Sequence, residues 1–134
     1  MRMRLLAAAA VLVSAAVHLK LWIDVFRDEE VVGPAFLANA FGGLVIAVLL
    51  VLWRHWLPLL LSVGFGASTI GAFVTAATVG LFGVHEHWTG GYVWTAFAAE
   101  VVAILAGALA AVGEGWLSRN QLQHERSVRG AHLD

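Results

Sequence analysis

The chain contains no cysteine. That removes disulfides, thiolate zinc sites, iron–sulfur clusters, CxxCH haem attachment and thiol redox chemistry. Charge is scarce as well: Asp, Glu, Lys and Arg make up 13% of the 134 residues, where a soluble domain carries about a quarter. Lysine occurs once, as Lys20, no basic run is present and the net charge is −1. Such a balance argues against a nucleic-acid partner. Proline occurs only as Pro34 and Pro58, each near the start of an apolar run, where a helix tolerates it.

Hydrophobic residues make up 60% of the chain, and the mean hydropathy is +0.83. That is more apolar surface than a small water-soluble core can hide. Four runs approach the roughly 20 residues needed to cross a bilayer as a helix: about Leu5–Phe26, Pro34–Trp53, Leu57–Phe82 and Tyr92–Val112. The breaks between them, Arg27–Gly33, Arg54–Trp56 and Gly83–Gly91, are short, so consecutive helices are expected to lie antiparallel as neighbours. The fold class expected is all-α: a transmembrane four-helix up-down-up-down bundle over residues 1–113, followed by a polar cytoplasmic tail at 114–134.

Orientation follows from the Arg/Lys bias of short loops. Arg2, Arg4, Arg54, Arg119, Arg126 and Arg129 fall on one side, whereas Arg27 on the other is outnumbered by Asp28, Glu29 and Glu30. Both termini are therefore expected in the cytoplasm, with the chain multi-pass in the cell (inner) membrane. Trp22, Trp53, Trp56, Trp88, Tyr92 and Trp94 sit near span ends, as an interfacial aromatic belt requires. Met1–Ala16 has features of a secretory signal, but the apolar run continues through Leu19–Phe26. That exceeds a signal core of about 7–15 residues, which favours a span.

Helices in lipid associate through small residues, and each span has a stripe of them at a spacing of four. They are Ala10-Ser14-His18-Trp22, Ala35-Asn39-Gly43-Ala47, Gly64-Ser68-Ala72-Ala76-Gly80 and Ala99-Ala103-Gly107-Ala111. Beside the last lies Glu100, the only charge within Tyr92–Val112. An intramembrane carboxylate is costly unless paired, wet or protonated, and so marks a candidate site. Counting at about 1.5 Å per residue places His18, Asn39, Thr75 and Glu100 roughly 8–12 Å below the outer ends of their spans. Inward-facing stripes would gather these four into one intramembrane polar cluster, with His18 and Glu100 paired and Asn39 and Thr75 as hydrogen-bond partners. Lys20 is a rival partner for Glu100, or pairs with Asp24 one turn on.

Other chemistries are thinner. His85 and His87 flank Glu86 and are candidate metal ligands from an extended loop, two where a site needs three or four. A quinone site would draw on His18, Asn39 and Trp22 or Trp94. Only His18 lies clearly inside a span, which counts against bis-His haem. Ser14 and His18 share a face, yet no nucleophile–base–orienter set can be argued. No cofactor is required by the sequence.

The stretch His18-Leu19-Lys20-Leu21-Trp22, followed by Gly33-Pro34-Ala35-Phe36-Leu37-Ala38-Asn39, resembles the front half of small four-span membrane proteins of actinobacteria. The layout is also loosely similar to DoxX-like four-helix proteins, though the redox cysteines discussed for that group are missing. The resemblance implies a four-helix protein of the inner membrane and carries no activity.

The leading expectation is a small non-enzymatic integral membrane protein, an assembly or accessory component that meets copies of itself or a larger membrane complex within the bilayer. The alternative is a ligand-, quinone-, proton- or metal-handling protein with an outer-leaflet polar site around His18 and Glu100. A small transporter subunit is a third reading, which broken helices and inverted repeats would mark; neither is evident.

Overall fold

The computed structural model describes residues 1–80, 91–116 and 126–131. Among them there is no strand. Four long helices run as α1 (Arg2–Leu21), α2 (Val32–Leu52), α3 (Trp56–Thr78) and α4 (Gly91–Gly113). All four are long and apolar enough to cross a membrane. Residues 126–131 are helical and exposed.

The spans match expectation with local shifts. A five-residue π-helical turn, Trp22–Phe26, extends α1. Helix α2 begins at Val32, so Pro34 is its third residue, still within the turn that has no N–H obligation. Helix α3 stops at Thr78 instead of reaching Phe82. The Thr75 carbonyl accepts from both Val79 and Gly80 N–H, and Gly80 adopts φ 84°, a left-handed conformation that ends helices. The N-cap of α3 is His55, whose Nδ1 accepts the Leu57 N–H at 3.2 Å. The sequence had suggested no role for it.

Helix α1 is the central staff. It packs against α2 on one side and α4 on the other, and α3 leans mainly on α4. The fourth seam, between α2 and α3, is the loosest. Helix α1 can serve two neighbours because its buried positions are mostly small: Ala7, Ala8, Ala10, Ser14 and Ala15. Small side chains let backbones approach, which is the main source of helix association in lipid. The opposing face of α4 is equally small, with Ala99, Ala103, Ala106 and Ala110 buried.

The stripe expected on α3 divides: Gly64 faces outward, Ser68, Ala72 and Ala76 line a cavity among the helices, and the face that packs closely carries Pro58, Leu59, Ser62, Phe65 and Gly66. Two contacts with α4 select that face. Ser62 Oγ donates to the Ala103 carbonyl at 3.0 Å. A Cβ on Gly66 would lie 2.7 Å from the Glu100 carbonyl oxygen and 2.7 Å from Ile104 Cγ1, so only glycine permits this approach. Phe65, a large residue, fills the space left by Gly43 of α2. Large apolar side chains such as Phe41, Leu44, Leu60, Leu105 and Leu109 point outward; in water they would be a liability, and in lipid they are the solvent-facing surface.

One end of the bundle is tied by Arg4, which is 0% exposed. Its Nε donates to both carboxylate oxygens of Glu114, at 2.9 and 2.8 Å. Its terminal nitrogens donate to the Trp53 carbonyl at 3.1 Å and the His55 carbonyl at 2.7 Å. One guanidinium thus joins the start of α1, the α2–α3 connection and the exit of α4. Arg54 adds a longer contact to Glu114, 3.7 Å. Around this knot, Trp53, Trp56 and Trp116 surround the His55 ring at centroid distances of 4.7, 5.3 and 5.9 Å. Glu114, assigned by composition to the polar tail, is held against the bundle. Gly115 at φ 81° lets the chain turn so that Trp116 N–H meets the Ala111 carbonyl.

Candidate functional site

Toward the other end, α1 and α4 bring together three polar side chains. Ser14 and His18 are one turn apart on the buried face of α1, and Glu100, 3% exposed, faces them from α4. Ser14 Oγ donates to Glu100 Oε1 at 3.1 Å. His18 Nδ1 lies 2.7 Å from the Ser14 carbonyl. A carbonyl only accepts, so Nδ1 carries a proton. His18 Nε2 lies 3.9 Å from Glu100 Oε1, within ion-pair range but beyond hydrogen-bond length. The expected His18–Glu100 neighbourhood is present, and its link is Ser14, which the sequence reading had set aside with the rejected catalytic triad. The i, i+4 spacing to His18 on one stripe was the available signal.

Asn39 and Thr69 sit across the loose α2–α3 seam. Thr69 Oγ1 donates to the Phe65 carbonyl at 2.7 Å, which uses its only hydrogen. It therefore accepts from Asn39 Nδ2, at 2.9 Å, and this fixes which way the amide points. Asn39 Oδ1 is buried and has no hydrogen-bond partner among the described residues. Such an acceptor costs on the order of 1–3 kcal/mol unless something donates to it.

These groups border one cavity of about 340 Å³ among all four helices. His18, Asn39, Thr69 and Glu100 line it together with Phe26, Phe36, Phe73, Phe97, Val25 and Val93. The polar groups lie deepest. Along α4, Val93 is seven residues from Glu100, roughly 10 Å along the axis. The aromatic wall is ordered, with Phe26 and Phe36 stacked at 4.4 Å and His18 5.1 Å from Phe36. The π-helical turn contributes Val25 and Phe26 to the lining; π-turns recur at functional sites. It also carries the Phe26 carbonyl to within 2.3 Å of where a Cβ on Gly33 would stand. Glycine is obligatory there for α2 to begin beside the turn.

Thr75, expected in the cluster, is elsewhere. Its hydroxyl donates to the Gly71 carbonyl of its own helix at 2.8 Å, and it does not line the cavity. Thr69 takes its place, six residues earlier and so roughly 9 Å deeper. Trp22 and Trp94 do not line the cavity either; Trp94 meets Phe97 edge-on at 6.2 Å. Lys20 Nζ pairs with Asp24 Oδ2 at 2.5 Å, partly exposed. His85 and His87 fall outside the described residues. Among the described residues no three His, Asp or Glu side chains are grouped as a metal site. A wider depression of about 590 Å³ lies beside Arg2, Arg54 and Glu114, but Glu114 is already engaged there by Arg4 and Arg54.

An apolar, aromatic-walled cavity with a few converging polar groups is the usual form of a small-molecule site. The arrangement here can hold an apolar body and hydrogen-bond a polar head at the floor. No protein-family model, curated protein or solved structure matches this chain.

Proposed function

We propose that this chain is a non-enzymatic, ligand-binding protein of the cell membrane, with alternating helices and both termini in the cytoplasm. The cavity bounded by His18, Asn39, Thr69 and Glu100 takes a lipophilic small molecule in the leaflet away from the cytosol. The observation that carries this reading is the unpartnered Asn39 Oδ1 beside the cavity that Glu100 and His18 also line. A network serving only helix register would satisfy its own members, since half-satisfied buried networks are unfavourable. Support for alternation comes from Arg4, which meets the α2–α3 connection and the residue after α4. Support for the orientation comes from the Arg bias of the same end.

A neutral aromatic alcohol, 4-phenylbutanol, tests the site. Native mass spectrometry of the protein released from lipid nanodiscs should show one bound probe on the parent. Ala96→Phe, which puts a ring into the cavity, should show none. Equal uptake by both would locate binding elsewhere and end the proposal.

The accessory-subunit reading draws on a different observation. Gly64 and Gly71 of α3 face outward with nothing within 4 Å of a Cβ placed on them, a surface another helix can approach closely. Much of the remaining small-residue density is already used inside the bundle, by Gly43, Gly66 and Gly107. Cross-linking in native membranes from cysteines placed at Gly64 and Gly71 separates the readings; dimers or adducts there favour assembly.

A further inference from the structure

The hydrogen inventory of the cavity floor narrows the ligand class. Ser14 Oγ spends its hydrogen on Glu100. Ser68 and Thr69 both donate to the Phe65 carbonyl. His18 Nδ1 donates to the Ser14 carbonyl, which leaves Nε2 of a neutral ring as an acceptor. Asn39 Nδ2 gives one hydrogen to Thr69. With Glu100 ionised, what remains among these described residues is one amide hydrogen of Asn39 against several acceptors, among them Asn39 Oδ1, His18 Nε2 and the second oxygen of Glu100. The imbalance has a charge to match. A bound cation would hold Glu100 ionised, and beside a neutral His18 that carboxylate gives the floor a charge of minus one that no Lys or Arg among the described lining residues offsets. The walls carry four aromatic rings, Phe26, Phe36, Phe73 and Phe97, a residue type whose ring attracts a cation more than a neutral head.

Resting on the ligand-binding reading above, the geometry points to a lipophilic organic cation bearing N–H groups, a primary ammonium or amidinium on an apolar body, as the ligand of this cavity. Its N–H groups donate to Glu100 and to Asn39 Oδ1, with His18 Nε2 as a third acceptor, and its apolar part lies between the phenylalanines. An acceptor-rich quinone is disfavoured by the same inventory. A free proton would neutralise Glu100 but would leave Asn39 Oδ1 and the cavity volume unused.

Three probes of one shape decide it: 4-phenylbutylammonium, its N,N,N-trimethyl derivative and 4-phenylbutanol. Binding is measured by calorimetry in nanodiscs, with Ala96→Phe nanodiscs subtracting partition into lipid. The ammonium should bind at least ten-fold more tightly than the alcohol and several-fold more tightly than the trimethyl compound, which has no N–H. Glu100→Gln should reduce the ammonium's advantage over the alcohol to two-fold or less. Asn39→Leu should weaken the ammonium several-fold while barely changing the trimethyl compound; this variant and the probe series on the parent keep the test decisive if Glu100→Gln fails to fold. Alcohol and ammonium binding alike, each lost in Ala96→Phe, would overturn the cation assignment and leave the cavity as a neutral-ligand site. Trimethyl and primary ammonium binding alike would overturn the N–H requirement. No difference between parent and Ala96→Phe for any probe would overturn the cavity itself.

Discussion

The two ends of the bundle solve the same problem in different ways. Each must hold charged and polar groups within apolar helices. At the Arg4 end a fully buried guanidinium is matched to both oxygens of Glu114 and to two backbone carbonyls, leaving Trp116 Nε1 as the unsatisfied buried side-chain atom there. At the Glu100 end a buried acid receives one hydroxyl, from Ser14, faces an imidazole at 3.9 Å, and shares a cavity with an amide satisfied on one side only. Several short contacts from one charge to three chain segments make a fastener. Incomplete pairing around a space leaves interactions for something else to complete. The contrast separates a structural charge from a functional one more sharply than burial does, since Arg4 and Glu100 are both buried.

The largest expected effect comes from breaking the fastener. Arg4→Ala leaves Glu114, which is 17% exposed, with only the longer Arg54 contact, and removes the donors to Trp53 and His55. Removing one partner of a buried pair costs about 3–5 kcal/mol, and unfolding in mild detergent should show a loss of that order. Arg4→Lys should recover little of it, because a point charge does not reproduce a planar fork reaching three chain segments. A loss under about 1 kcal/mol for Arg4→Ala would remove the distinction between the ends.

Gly66→Ala comes next. Its Cβ would press on the Glu100 carbonyl and Ile104, separating α3 from α4 beside the cavity. Overpacking of this kind costs about 1–3 kcal/mol. Gly64→Ala, two residues away with nothing within 4 Å, should instead be neutral or stabilising by up to about 1 kcal/mol, because alanine favours helix. The pair of melting curves should therefore move in opposite directions. Ser14→Ala should cost less than Gly66→Ala, about 0.6 kcal/mol by the average for interhelical hydrogen bonds. Its effect should appear in binding, since Glu100 then loses the hydroxyl that holds Oε1.

The parts of the molecule legible in the sequence were those governed by one helix at a time. Apolar run length placed all four spans to within a few residues, and depth counting along separate spans brought His18 and Glu100 to one level. Arg4 was read only as an orientation charge. Nothing local marks it as buried, because its partners Trp53, His55 and Glu114 lie 49, 51 and 110 positions away. The part of α3 that packs on α4 was not legible, because Gly64 and Gly66 offer small residues on two sides and the choice is made by α4 through Ser62–Ala103 and Ile104. The site residue on α3 was misplaced for the same reason. Thr69 and Thr75 are equal in chemistry and differ in depth along α3 and in which way the packed helix turns them.

That last difference gives the smallest effect and the finest test of the comparison. Thr75→Val removes a hydroxyl bonded to the Gly71 carbonyl of its own helix, a carbonyl the helix ladder already serves. Stability should stay within about 0.5 kcal/mol, and 4-phenylbutylammonium affinity should not change. Thr69→Val removes the acceptor of Asn39 Nδ2 and leaves the amide without the partner that fixes its direction. The stability cost should be only about 1 kcal/mol, yet ammonium binding should fall several-fold, because Oδ1 is no longer held facing the cavity. Were the two variants to exchange behaviours, α3 would have to present Thr75 at the floor. Asn39 would then be anchored elsewhere, and the unsatisfied oxygen that distinguishes this end from the Arg4 end would lose its meaning.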